Sequence, residues 1–326
     1  VTGELRFYMN YDKLSETGGS SIVDDRKEAW KTFSRIGGGY AIFLLVTFAL
    51  QVQMSILTAV LFRFGIDITF KDWYVPASSL AVYCLGGGLT YLVVRDMPVF
   101  KGPEGEKAGV KMLTAGFFIC ISALFFGNLI SLGLMSMVSA ISGKPMVNPL
   151  SEVLENLSSW SILITMVVMA PVFEEILYRK VLMGRIRQYG DKAAILVSSF
   201  VFGLSHGNFY QFFYAFGIGL VFGYIYIRTG KLRYTIVFHM VINFMGSFVA
   251  LRAAGSLWFS ALYSLFILGG AAAGTVLFFT SRKKLRLEPG ITEIWGRGGF
   301  RVMFLNLGMV IFFLTAAAAF LISEIS

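Results

Sequence analysis

The sequence predicts an all-α fold, a polytopic transmembrane helical bundle, and three observations predict it. The 326 residues are 56% hydrophobic and only 14% charged, with a mean hydropathy of +0.71, whereas soluble domains carry about a quarter charged residues. Apolar runs recur along the whole chain at lengths near the ~20 residues that a helix needs to cross hydrocarbon. Between those runs lie short segments that hold most of the lysines and arginines. Eight spans are expected, or nine if the last apolar segment also crosses, with the N-terminus in the cytoplasm.

Residues 24–36 come first and read as an amphipathic helix on the cytoplasmic surface, with Trp30 and Phe33 on one side and Arg26, Lys27 and Lys31 among the polar positions. Spans follow at about 40–62, 75–94 and 112–140, the third long enough to tilt. The fourth runs from Trp160 towards Arg187, and further spans are read at about 192–207, 212–227, 234–251 and 257–280. A last one at 302–322 requires that Asn306 be tolerated. Gly219 with Gly223, and Gly270 with Gly274, make two small-xxx-small pairs that let helix backbones approach.

The chain divides accordingly into a cytoplasmic segment at 1–39, a bundle at 40–280 with its catalytic core at about 155–250, a basic cytoplasmic loop at 281–301 and a terminal membrane helix at 302–326. No cleavable leader is expected, because the first apolar run starts near Tyr40 without a small-residue cleavage site. With alternating spans, only Arg63, Lys71, Lys144 and Arg252 among the 28 basic residues fall outside. That asymmetry orients the N-terminus inwards. It also accounts for the net charge of +9 without nucleic acid as a partner. Membrane lipids are the expected surroundings, in the plasma membrane of a prokaryote or the endoplasmic reticulum of a eukaryote. Cys84 and Cys120 both fall in spans and read as small buried hydrophobes.

Ionisable groups are expensive at such depth, roughly 2.5–3.5 kcal/mol each at a helix centre on insertion scales. The chain nevertheless puts both of its histidines, a glutamate pair and an arginine in apolar stretches. In APVFEEILYRKVLMGR, Glu175 and Arg179 are four apart and can pair on one helix face. Glu174 lies about 100° round the helix and points elsewhere. Pro171, one turn earlier, marks a kink or an unwound point. The same charges also suit a helix end snorkelling to the interface. In SSFVFGLSHGNFYQ, Phe202 and His206 share a face, and in YTIVFHMVINFMG, so do His239 and Asn243. At ~1.5 Å per residue, Glu174 and His206 lie ~20 Å, and Asn243 ~15 Å, from their cytoplasmic boundaries. A carboxylate with a histidine can activate water, and a second histidine with an amide can donate to a developing oxyanion. The inventory matches peptide-bond hydrolysis without a covalent intermediate.

The three segments, Glu174-Glu175-Ile-Leu-Tyr-Arg179, Phe202-Gly-Leu-Ser-His206 and His239-Met-Val-Ile-Asn243, follow in order on separate spans. They resemble the EExxxR, FxxxH and HxxxN motifs of the CPBP family, the CAAX proteases and bacteriocin-processing enzymes also called Abi, which includes type II CAAX prenyl endopeptidases. The resemblance covers roughly residues 155–250. It implies an intramembrane endopeptidase of the glutamate type, acting near the end of a hydrophobic or lipid-modified peptide. It also implies that Glu174 and His206 activate water, that His239 and Asn243 form an oxyanion hole, and that Glu175, Arg179 and Phe202 support them. No cofactor is implied. The alternative of a His206, His239 and Glu174 zinc site with Glu175 as base follows from the donor types alone. Two other functions use the same residues: a non-enzymatic immunity or accessory protein, and a proton-coupled transporter.

Overall fold

The computed structural model describes residues 21–69, 71–100, 107–143, 148–292, 294 and 298–325. The expected cytoplasmic segment before Ser21 lies outside them. The described residues are helical in α1 (Ser21–Arg63), α2 (Tyr74–Val94), α3 (Val110–Ser142), α4 (Pro149–Asn156), α5 (Ser159–Tyr189), α6 (Asp191–Leu204), α7 (Phe209–Thr229), α8 (Leu232–Ala254), α9 (Leu257–Lys284), α10 (Gly299–Phe304) and α11 (Leu307–Ile325). Seven of these, α1 to α3, α5 and α7 to α9, are long and apolar enough to cross a membrane.

Two expectations change. Residues 24–36 are not a separate surface helix but the first turns of the 43-residue α1. Their apolar side is covered by protein, since Ala29, Phe33 and Ile36 are fully buried and Phe33 packs on Tyr189 at 5.1 Å. The fifth expected span is only the 14-residue α6, well short of the ~20 residues that crossing needs. Most of α6 is buried inside the bundle, so its length answers to its neighbours and not to the bilayer. Among the described residues the full-length spans therefore number seven, with a shorter apolar helix at Leu307–Ser323.

Asn306 is tolerated because it is a junction. It is fully buried and donates to the carbonyls of Val302 and Met303, at 2.9 and 3.2 Å. Its own Oδ1 accepts from the Met309 N–H at 3.0 Å, which ends α10 and starts α11 with one side chain.

The bundle has an apolar core and is apolar on much of its outside as well. Leu262, Leu265 and Leu268 on α9 are exposed, as suits a face turned to lipid. Both cysteines are free, and Cys84 is exposed where a buried residue was expected, while Cys120 is buried. Close helix contacts occur where the small residues predicted them. Gly219 and Gly223 of α7 lie against Ser199 and Ile195 of α6, and Gly270 and Gly274 of α9 lie against Ile121 and Phe118 of α3. A Cβ on Gly274 would stand 1.9 Å from the Phe118 carbonyl oxygen, a backbone atom that cannot swing away. Gly274→Ala is therefore expected to destabilise the protein by about 1–3 kcal/mol, read as a lower melting temperature in detergent. An unchanged melt would contradict this packing.

Candidate active site

Four helices meet where the sequence placed its ionisable groups, and each contributes through a local feature. In α5 the regular helix is interrupted twice by π turns, at Leu163–Met169 and Ile176–Met183, with Glu174 and Glu175 on the α-helical piece between them. Pro171 accounts for part of this. The N–H of Ala170 bonds to the Thr165 carbonyl, five residues back. In that register the Met166 carbonyl would be served by residue 171, but proline has no N–H to give. The side chain of Asn243 supplies it, with Nδ2 donating to Met166 O at 2.8 Å. A sequence-predicted site residue thus repairs the helix that carries the carboxylates.

Glu175 and Arg179 have fully buried side chains and pair at 3.1 Å, Nε to Oε2. Snorkelling is thereby ruled out for both. The guanidinium also donates from Nη1 to Ser198 Oγ at 2.7 Å and stands over the Phe202 ring at 5.3 Å. Ser198 in turn donates to the Tyr178 carbonyl at 2.8 Å, so α6 is tied to the π segment of α5. A buried pair held by further hydrogen bonds and an aromatic face is the arrangement that offsets the desolvation of its charges.

His239, buried on α8, brings the two glutamates together. Its Nδ1 lies 3.1 Å from Glu175 Oε1 and its Nε2 lies 3.7 Å from Glu174 Oε2. Glu174 was expected to point away from its neighbour. The two carboxylates do leave the helix in different directions, but one imidazole sits between those directions and receives both. A carboxylate oxygen accepts, so the proton on Nδ1 is directed to Glu175 and Nε2 is the nitrogen turned to Glu174.

His206 sits just beyond the end of α6, in the turn to α7, and not within a helix. Gly207 follows with φ +68, a left-handed conformation that glycine adopts freely. Asn208 then caps α7 by accepting from the Gln211 N–H at 2.9 Å, and its amide donates to the His206 carbonyl at 2.9 Å. The imidazole bonds back through Nδ1 to the Phe202 carbonyl at 2.9 Å, satisfying one of the orphan acceptors at a helix C-terminus. A carbonyl only accepts, so Nδ1 carries the proton and Nε2 keeps its lone pair.

Phe202 is the common neighbour. Its ring meets His206 at 4.9 Å and His239 at 5.7 Å, each nearly perpendicular, and Tyr178 at 5.1 Å. The structure therefore gathers Glu174, Glu175, Arg179, Phe202, His206 and His239 at one place. Asn243 lies one turn along α8 from His239, with its amide turned to α5. The donor set for zinc does not close. Among the described residues no three His, Cys, Asp or Glu side chains are grouped to hold a metal ion.

One contact had no signal in the sequence. Tyr83, in a π segment of α2 at Val82–Gly87, donates its hydroxyl to Glu174 Oε1 at 2.8 Å. Nothing local to Tyr83 distinguishes it from the other tyrosines in the spans.

The comparisons with known proteins fall on the stretch of chain that carries most of these side chains. Residues 156–245, which cover α5 to α7 and much of α8, match the family described as Type II CAAX prenyl endopeptidase Rce1-like. Over 83 residues the chain is 32% identical to the membrane-embedded CAAX protease MroQ of Staphylococcus aureus (strain USA300), an alignment covering 23% of this chain and 34% of that protein. Over 158 residues it is 25% identical to the "Putative membrane peptidase YdiL" of Bacillus subtilis (strain 168), covering 47% of this chain and 62% of that one. The matches thus span about one third and about three fifths of these two relatives. No solved structure matches the chain. In its residues 156–245, this multi-pass integral membrane protein is similar to the Rce1-like type II CAAX prenyl endopeptidase family.

Proposed function

We propose that the protein is an intramembrane endopeptidase that hydrolyses a peptide bond near the end of a hydrophobic or lipidated, CAAX-like peptide, using water activated by Glu174 and His206. The observation that carries this reading is the convergence, within an apolar bundle, of the buried Glu175–Arg179 pair, Glu174 and both histidines, with the Phe202 ring against Arg179 and both imidazoles. Glu174 Oε2 and His206 Nε2 are the two acceptors available to a water molecule. Removing a proton from that water lets its oxygen attack the scissile carbonyl carbon. The carbonyl oxygen then becomes an oxyanion. With its Nδ1–H given to Glu175, His239 donates from Nε2 only in its doubly protonated form; that Nε2–H and the second hydrogen of the Asn243 amide are the donors that would hold it, in a site with little water to compete. Collapse breaks the C–N bond, and the proton taken from water passes to the leaving amine.

Glu175 and Arg179 act in this scheme as supports, Glu175 by orienting the His239 ring through its Nδ1–H and Arg179 by neutralising Glu175. The scheme has no step through a metal. The basic segments orient the N-terminus to the cytoplasm, and a substrate tail would enter from the lipid side.

The test is cleavage by the purified protein in nanodiscs of internally quenched peptides ending in a farnesylated cysteine motif, alongside the same peptides without the lipid. Wild-type cleavage of either set supports a peptidase, and preference for the farnesylated set supports the lipidated substrate. No cleavage of any peptide by a folded preparation counts against the reading. Asn243→Ala is expected to lower kcat about 10²–10³-fold, as removal of an oxyanion donor does elsewhere, with KM little changed. A pure rise in KM would remove Asn243 from that role.

A further inference from the structure

Glu174 offers two oxygens, and they have different surroundings. Oε1 accepts from Tyr83 at 2.8 Å, while Oε2 faces His239 Nε2 at 3.7 Å, beyond ordinary hydrogen-bond length. We propose that Tyr83 is a positioning residue of the site: its phenol occupies Oε1 and so selects Oε2 as the oxygen that works on water. This rests on the peptidase reading of the site.

The way Tyr83 is held supports a positioning role. Its ring lies parallel to Phe173, the residue before Glu174, at 4.9 Å and 4°, and stacks more loosely on Phe43 of α1 at 6.5 Å. The phenol is therefore clamped from two helices and has little freedom to follow a moving carboxylate. The backbone is arranged for the same reach. Tyr83 lies in the π turn Val82–Gly87, which ends in the buried Gly86 and Gly87. A Cβ on Gly86 would come within 3.1 Å of the Phe43 ring, and one on Gly87 within 3.4 Å of the Leu177 side chain. These glycines let α2 sit close against both α1 and α5, near enough for a tyrosine hydroxyl to reach Glu174. The carboxylate is also faced by His239 from α8, and the Tyr178 and Tyr214 phenols stand near enough to feel its charge. Of these groups, Tyr83 is the one that donates to Glu174 within 3 Å.

A carboxylate fixed at one oxygen cannot rotate its basic oxygen away from the attack position, and misplacement of a reacting group by about 1 Å can cost 10²-fold. Tyr83→Phe keeps the ring and both stacking contacts and removes only the hydroxyl. It is expected to lower kcat at least about tenfold, to leave KM within twofold, and to leave the melting temperature in detergent unchanged. Wild-type kcat in this variant overturns the proposal. So does a raised KM at unchanged kcat, which would make Tyr83 a substrate contact. A loss of activity that tracks a lowered melting temperature also overturns it, since Tyr83 would then be structural. Infrared difference spectroscopy decides the bond without any substrate. The carboxylate stretch that disappears in Glu174→Gln should shift in Tyr83→Phe, and an unmoved band overturns the proposal. If the wild-type protein cleaves no peptide but the band shifts, the peptidase reading fails and the bond survives.

Discussion

Glu174→Gln is expected to abolish peptide cleavage, by about 10³-fold or more, while the protein stays folded in detergent. Glutamine keeps the shape of the side chain and an oxygen able to accept from Tyr83, but an amide is not a base that takes a proton from water. Glu174 is only partly buried, with its side chain 16% exposed, so the change leaves no unpaired buried charge behind. The melting temperature should therefore stay close to that of the wild type. His206→Ala is expected to share the loss, because it removes the Nε2 lone pair. It should cost somewhat more stability, because the Phe202 carbonyl at the end of α6 loses its donor. Full activity in either variant, measured on a peptide that the wild type cleaves, would end the proposal that these two residues activate water. Intact phenotype with no cleavage in any preparation would favour the accessory role that the same residues also allow.

The largest effect on stability is expected at Arg179. Its side chain is fully buried and holds Glu175 at 3.1 Å and Ser198 at 2.7 Å. Arg179→Ala leaves the Glu175 charge in an apolar interior with His239 as its remaining ionisable partner. Removing one member of a buried pair typically costs about 3–5 kcal/mol. That should appear as a large drop in melting temperature in detergent. The double variant Glu175→Gln with Arg179→Met should recover most of that loss, because no charge is then left unpaired. Its activity should stay low, since His239 has lost the carboxylate that directs its Nδ1 proton. If Arg179→Ala melts like the wild type, the pair is not what holds α5 against α6. If the double variant is as unstable as the single one, the loss comes from packing and not from charge.

Much of this centre was legible in the residues themselves. Hydrocarbon accepts only helices and closed barrels, whose backbone is satisfied internally, and barrel strands are about half as long, so a long apolar run can be read as a helix with little ambiguity. The same solvent makes charges costly, which is why Glu174, Glu175, Arg179, His206 and His239 stood out against their surroundings. Spacing of four placed Glu175 opposite Arg179, and His239 on the face of Asn243. The reading was weaker where a helix is surrounded by protein. α6 is buried and short, and nothing in its composition says that its neighbours shield it from the bilayer. Residues 24–36 look amphipathic whether the polar side faces water or the apolar side faces Tyr189. The π turns were also invisible, since no residue type demands them except, in part, Pro171.

The sequence by itself determined the class of the fold, the identity of the polar residues within it and their order along the chain. These follow from short-range chemistry: hydropathy sets the spans, and helical periodicity sets the faces. Only the tertiary structure decided that His239 stands between two carboxylates, that Asn243 completes a helix left open by Pro171, and that Tyr83 takes one oxygen of Glu174. Those contacts join residues 64, 77 and 91 positions apart. Their formation depends on how α2, α5 and α8 rotate and approach one another, and close packing of whole helices sets that geometry, which no local pattern of residues encodes.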